Sequence, residues 1–350
     1  MAATLTALSA AMSLIYMDRN TDQFRRDAPI LAMLPIKTGS GKNCAWGAKI
    51  DGRTTAAAYA EGADAGSAST HTRVGAALNW AQYREIIQVS GLSAAAVASL
   101  PGTHNAGSND LWNEEMTDGI DALALKVAED CYSGDPAASP VELAGAATAI
   151  DSTGTFAGID PATHASWAAG EATMALASIS VATLRTNLHR PVKDATGRYP
   201  DMVTVPGNVF DKLLELSDAK NIDVINILGN DLRVASLGAR AISIDGVPYV
   251  EDRHCTANTA YAWSLRDVCI RQLPALAPVG VEQVQAAIKQ LTGAEVPLTD
   301  IETGLRRMAG QLTPTIEVLA QNGDAYKAQI KVYCQLEWKT RNGFSKLAFT

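Results

Sequence analysis

Cys44-Ala45-Trp46-Gly47-Ala48-Lys49-Ile50-Asp51-Gly52 alternates: side chains at 44, 46, 48 and 50 share one face, and Asp51-Gly52 follows. That is the period of a half-buried strand leading into a turn. Small residues dominate 54–72, with Gly62, Gly66, many Ala and a Ser/Thr cluster at 67–70, which predicts a flexible tip. A second strand follows, with Val74, Ala76, Leu78 and Trp80 on one face. Two strands joined by a long polar tip make a protruding β-hairpin, and an isolated ribbon of that kind is marginally stable in water. The region 38–90 lacks the apolar content to fold on itself, so it is expected to lie on another surface, that of a second copy of the same chain.

C-terminal to the hairpin, Trp112, Met116, Ile120, Leu123, Val127 and Cys131 recur at helical spacing. Ser108 or Asn109 can cap this helix, Glu114 and Glu115 favour its N-terminal end, and Gly134 and Pro136 end it. An α/β region spans about 165–280. It is read as a helix over 171–188, a buried strand Met202–Val205, a helix over 209–216, a hairpin 241–250 turning at Asp245-Gly246, and a strand at 261–263. Residues 281–310 have helical character interrupted by Gly293 and Pro297. Ile330, Val332, Cys334, Leu336 and Trp338 alternate, Asn342-Gly343 turns, and 344–349 is a return strand.

N-terminal to the hairpin, Pro29 and Pro35 bracket 30–34, which suits an extended strap. Residues 1–17 carry no Lys or Arg, and the first charge is Asp18, unlike a secretory signal; an amphipathic arm is expected. No run reaches the roughly 20 apolar residues of a membrane span.

Composition bounds the function. With 350 residues, 47% hydrophobic and 19% charged, the chain is long and apolar enough for a substantial core. A net charge of −8 disfavours tight nonspecific duplex binding. Five scattered cysteines, Cys44, Cys131, Cys255, Cys269 and Cys334, fit a reducing compartment better than a disulfide framework.

Chemistry-bearing motifs fail on inspection. Gly39-Ser40-Gly41-Lys42 lacks the earlier Gly of a phosphate loop, since Ile36 stands there, and Asn43 replaces its Ser/Thr. His71, His104, His164, His189 and His254 include no i, i+4 pair. His254 and Cys255 are adjacent, and neighbours on an extended chain face opposite ways, a poor base–nucleophile geometry. Glu251-Asp252 and Glu114-Glu115 read as a solvated turn and a helix N-terminus. No catalytic, metal-binding or cofactor-binding residue is assigned, and no enzyme activity or cofactor is expected.

This order of parts resembles the major capsid proteins of tailed bacteriophages with the Hong Kong 97-like (HK-97-like) fold. The likeness rests on Arg25-Arg26-Asp27-Ala28-Pro29, the hairpin, the helix 109–133, and two segments of the α/β region. These are Gly197-Arg198-Tyr199-Pro200-Asp201-Met202-Val203-Thr204-Val205-Pro206 and Ile244-Asp245-Gly246-Val247-Pro248-Tyr249-Val250-Glu251-Asp252. The resemblance implies an α+β capsid fold: an N-terminal arm (1–37), an extended loop (38–92), a peripheral domain (93–139 and 312–350) with spine helix 109–133, and an axial α/β domain (140–311). It implies hexamers and pentamers in an icosahedral virion shell around double-stranded DNA, held without sequence-specific binding and assembled in the host bacterial cytoplasm with no membrane. Scaffolding, portal and decoration proteins are the implied partners. Implied intersubunit contacts are Arg19, Arg25, Arg26, Lys42, Trp46, Lys49 and Asn342. Some relatives form Lys–Asn links, for which Lys42 or Lys49 and Asn342 would be the candidates; the plainer reading is solvated lysines and a turn. Two alternatives remain open: an encapsulin-like nanocompartment shell, and a soluble cytoplasmic hydrolase with a scattered site in the α/β region.

Overall fold

The computed structural model describes residues 28–52, 71–92, 107–220, 241–274, 312, 314–319 and 325–350, with isolated positions between 56 and 66. In chain order the helices are α1 (Pro29–Met33), α2 (Gly107–Ser133), α3 (Ala146–Ala149), α4 (Val181–Leu184), α5 (Arg190–Thr196) and α6 (Gly207–Lys220). The strands are β1 (Ile36–Thr38), β2 (Cys44–Lys49), β3 (Arg73–Leu78), β4 (Ala81–Ser90), β5 (Gly170–Met174), β6 (Met202–Val205), β7 (Ala241–Ile244), β8 (Val247–Glu251), β9 (Thr259–Trp263), β10 (Val268–Gln272), β11 (Thr315–Val318), β12 (Ala325–Trp338) and β13 (Ser345–Phe349). They fall into two units. The first gathers the described residues of 1–32, 81–128 and 272–334; the second gathers those of 33–80, 129–271 and 335–350.

In the first unit, α2 packs on strands paired antiparallel. β4 lies along β12 from Ser90↔Ala325 to Ala81↔Cys334, and β11 flanks β12 at Ile316↔Ile330. The faces meet where the alternation of the strands and the 3.6 period of the helix put apolar groups: Tyr83, Ile87 and Val89, Ala328, Ile330 and Val332, and Met116, Ile120, Leu123 and Val127 are all buried. Gly119 sets the closeness of approach. A Cβ there would stand 3.1 Å from Ile87 Cγ1 and 3.4 Å from Ile330 Cδ1.

The second unit is built on a six-stranded mixed sheet in the order β5-β13-β9-β6-β8-β7. β13 runs parallel to β5 and antiparallel to β9, and β6 runs parallel to β8. One face, with Val203, Val205, Ile242, Tyr249, Ala260, Ala262, Leu347 and Phe349, packs against Leu184, Leu188, Val192, Val209, Phe210 and Leu213 of the helical segments. Elsewhere in this unit Trp338 stacks on Trp263 at 5.7 Å and meets Phe344 edge-on at 4.7 Å. The last turn of α2 belongs here: Tyr132 lies edge-on to Trp263 and donates to the buried Asp252 carboxylate at 2.9 Å. Gly134 follows the helix where the chain passes so close to Leu143 that a Cβ would sit 2.4 Å from its carbonyl oxygen.

Several expectations hold: the long helix, the strand at Met202–Val205, the helix after it, and the Asp245-Gly246 hairpin, whose two turn residues take φ of 55° and 79°. Others are corrected. Residues 171–188 are not one helix, because Glu171-Ala172-Thr173-Met174 pairs along β13 and the helix begins only after Ser180, which forms a capping box with Thr183. Residues 30–34 are not extended; Pro29 opens a short helix, as a proline at a first helical position can, and Ile30, Leu31 and Leu34 are buried. The return strand at 344–349 forms but does not fold back on β12. It inserts between β5 and β9, where Leu347 and Phe349 reach the core. The region 38–90 is not without a surface of its own: β4 lies in the first unit's sheet, and the inner face of β2 and β3 is covered by its own chain. The readings of 1–17 as an arm and 281–310 as helical lie outside the described residues.

Candidate intersubunit surface

Among the described residues β2 and β3 form a two-stranded sheet of their own, in the register Cys44↔Leu78, Trp46↔Ala76, Ala48↔Val74 and Lys49↔Arg73. Side chains of facing residues share a side, so the ribbon has two unlike faces. Cys44, Ala48, Ala76, Ile50 and Trp80 are buried on the inner one. The outer one carries Ala45, Gly47 and Lys49 opposite Ala77, Gly75 and Arg73, all exposed. A Cβ at Gly47 or at Gly75 would touch nothing within 4 Å. The outer face is therefore smooth and small, with two like charges facing each other at its end.

The ribbon is fixed at five places, four near its root and one, at Ile50, near its tip. Trp80 lays its indole against Gly39, where a Cβ would come within 2.3 Å of the ring, and donates from Nε1 to the Gly41 carbonyl at 3.0 Å. In the phosphate-loop-like run Gly39 thus makes room for a tryptophan, while Gly41 takes φ of 89°. Arg271 donates to the Thr38 carbonyl at 3.0 Å and also to Glu337. Gln335, fully buried, donates to the Asn79 carbonyl at 2.7 Å while its Oε1 accepts from Ala144 N and Leu336 N. Ser166 donates to the Ile50 carbonyl at 2.8 Å, and Ala77 N donates to the Ala157 carbonyl at 3.1 Å. Arg341 holds the supporting loop: its Nε donates to the Ala149 carbonyl and its guanidinium to the Gly154 carbonyl, each at 2.6 Å.

Electrostatics fit a structural role for these groups. Burial pushes the Glu337 carboxyl up, but the hydrogen bonds from Arg271 and Cys269 and the charges of Arg271 and Lys339 outweigh it, so its pKa lies below the usual value. Burial raises the Cys44 thiol to about 12 and Cys269 to about 11, and lifts Cys255 well above its ordinary range. All five cysteines are buried and none is in a disulfide. Buried thiols held protonated are poor nucleophiles. Cys255 bonds to the Thr259 carbonyl at 3.3 Å, and the backbone N–H of His254 donates to Asp252 at 2.9 Å, so the two are built into a turn. Among the described residues no group of three or more His, Cys, Asp or Glu converges as a metal site, and no helix is long and apolar enough to cross a membrane.

Of the residues singled out from the sequence, Lys42 and Lys49 are exposed, Trp46 is half-buried on the inner face, and Asn342 is half-buried in the turn after β12. Among the described residues no side-chain bond joins either lysine to Asn342. Arg19, Arg25 and Arg26 lie outside the described residues. Sequence reading missed Trp80 as a lock, and it missed Arg271, Gln335, Glu337 and Arg341. A polar residue inside an apolar alternation, as at Gln335 and Glu337 between Cys334, Leu336 and Trp338, is the signal that could have found two of them.

No protein-family model matches the chain, and no curated protein matches its sequence. Solved structures do match its fold. The capsid asymmetric unit of cyanophage A-1(L) aligns over 95% of both chains with a TM-score of 0.67 and 21% identity. A capsid of a native GTA particle aligns over 99% of this chain and 100% of its own, at 0.56 and 12%. The SrpI encapsulin of Synechococcus elongatus aligns over 97% and 94%, at 0.57 and 9%.

Proposed function

Because the chain has the α+β Hong Kong 97-like fold, we propose that it is the major capsid protein of a tailed bacteriophage. It assembles as hexamers and pentamers into an icosahedral virion shell around double-stranded DNA. The ribbon and its tip act as the extended loop, α2 as the spine helix of a peripheral domain, and the six-stranded unit as the axial domain. The chain performs no catalysis, and scaffolding, portal and decoration proteins join it during assembly in the host cytoplasm.

One observation carries this reading: the two-stranded ribbon is bonded to its own molecule along one face and at its root, while its outer face offers only small side chains and two cations. A smooth strip of backbone and methyl groups permits close approach of another surface. Modest apolar contact, at roughly 25 cal/mol per Å², becomes large when repeated around a closed shell. The alignment with the cyanophage capsid over nearly the whole chain supports the same reading.

Negative-stain microscopy of the expressed chain tests it. Closed particles, alone or with a co-expressed scaffolding protein, are the expected result; small discrete oligomers under every condition would instead favour a soluble enzyme. The likeness to the SrpI encapsulin keeps a second reading, a nanocompartment shell that holds protein cargo. Particles recovered from the native source with nucleic acid inside favour the virion, and particles with enzyme inside favour the compartment. Denaturing gels of those particles that show monomer bands alone would exclude Lys–Asn links.

A further inference from the structure

His189 is 1% exposed and closes a π-helical turn, Arg185–His189, that joins α4 to α5. Its Nε2 shares a 2.8 Å hydrogen bond with the Tyr249 hydroxyl of β8. Its Nδ1 is buried and has no hydrogen-bond partner among the described residues. That nitrogen stands 4.0 Å from Asp245 Oδ2, on the turn between β7 and β8. Asp245 is held by Arg185 through both carboxylate oxygens, and Arg185 is 57% exposed. One carboxylate thus lies between two basic groups, a permanent cation at the surface and a titratable imidazole inside.

We propose that His189, Asp245 and Arg185 form a proton-operated latch: when Nδ1 takes a proton from solvent, Asp245 turns from Arg185 to the imidazolium and Arg185 is released to the surface. In the charged state Nε2–H donates to the Tyr249 oxygen, and the new Nδ1–H takes Asp245 as its acceptor. The carboxylate has to move about 1 Å to reach hydrogen-bond distance. It sits on a two-residue turn with both φ positive, beside Gly246, at the tip of the β7–β8 hairpin. Among the described residues, a Cβ at Gly246 would meet nothing within 4 Å.

Among the described residues, two phenols and a lysine also stand near the ring. Tyr199 meets the imidazole edge-on at 5.9 Å, and the Lys193 ammonium stands over that phenol ring, 4.7 Å from its centroid. Burial pushes the Tyr249 phenol up, so it stays uncharged. For His189 itself, burial lowers the pKa below 6.5, Asp245 acts against that, and Arg185 adds to it. A base whose folded-state pKa is depressed contributes full stability above its unfolded value and loses it as the pH falls from that value through the lower folded one. The latch therefore opens at mildly acidic pH, below about 6.5.

The test is the melting temperature of the full chain, in whatever oligomeric state it takes, between pH 8 and 5. Wild type is expected to lose stability below pH 6.5. Arg185→Gln removes the competing cation and frees Asp245, so the loss should shrink or shift by on the order of one pH unit towards acid resistance. Asp245→Asn removes the acceptor for the imidazolium, so the loss should steepen. Opposite changes from these two variants are a signature that simple loss of the Arg185–Asp245 pair would not give. His189→Gln, if it folds, should remove this part of the pH dependence. Parallel pH profiles for wild type, Arg185→Gln and Asp245→Asn would overturn the latch. The readout needs no particle, so it stands or falls apart from the capsid reading.

Discussion

Gly119 and Arg341 put opposite constraints on single positions. At Gly119 space is the constraint: a Cβ already presses Ile87, so Gly119→Val would force α2 off its strands and should cost about 1–3 kcal/mol in a chemical melt. At Arg341 satisfaction is the constraint. The side chain is 1% exposed and serves two backbone carbonyls, so Arg341→Met should cost about 2–5 kcal/mol, because each carbonyl left without a donor carries its own penalty. Neither role was legible in the sequence. A glycine inside a helix reads as a weak former, and an arginine before Asn342-Gly343 reads as a surface charge. What decides both is a neighbour far along the chain, and one sequence without that neighbour's position leaves it out.

Elements were legible in proportion to how much of their pattern is local. The strand β12 and the helix α2 carry long apolar repeats, and both were found. The segment 171–188 has apolar residues that fit either period, so its division was settled by pairing with β13 and by the cap at Ser180. The ribbon was found from its alternation, but its inner partner was not, since Gly39, Gly41 and Trp80 meet only after the chain returns. Two predictions belong to this scale. Ile120→Asp puts a charge on the buried face of α2 and should abolish cooperative melting, a cost of about 3–5 kcal/mol. Gly47→Glu adds bulk and charge to the open outer face of β2, where φ is ordinary. It should leave the melting curve within about 0.5 kcal/mol of wild type while reducing the yield of particles, counted by microscopy.

For the molecule as a whole, the fold class was legible as a resemblance, carried by the succession of ribbon, long helix and mixed α/β region. The division into units was less legible. The chain leaves and re-enters each unit, and nothing in the local composition marks those crossings. Deleting residues 1–27 should spare the far-ultraviolet circular dichroism of the chain and lower particle yield, since terminal segments seldom carry the core of a domain. Loss of the folded signal would mean that this segment belongs to the subunit's own core.

The position of β13 has a consequence for synthesis. Ser345–Phe349 bridges β5 and β9, yet it leaves the ribosome after every other strand of that sheet. Until those residues emerge, a nascent chain holds two open strand edges and an apolar face lacking Leu347 and Phe349. Translation that stops short of Ser345 should yield polypeptide that proteases digest faster than the full chain.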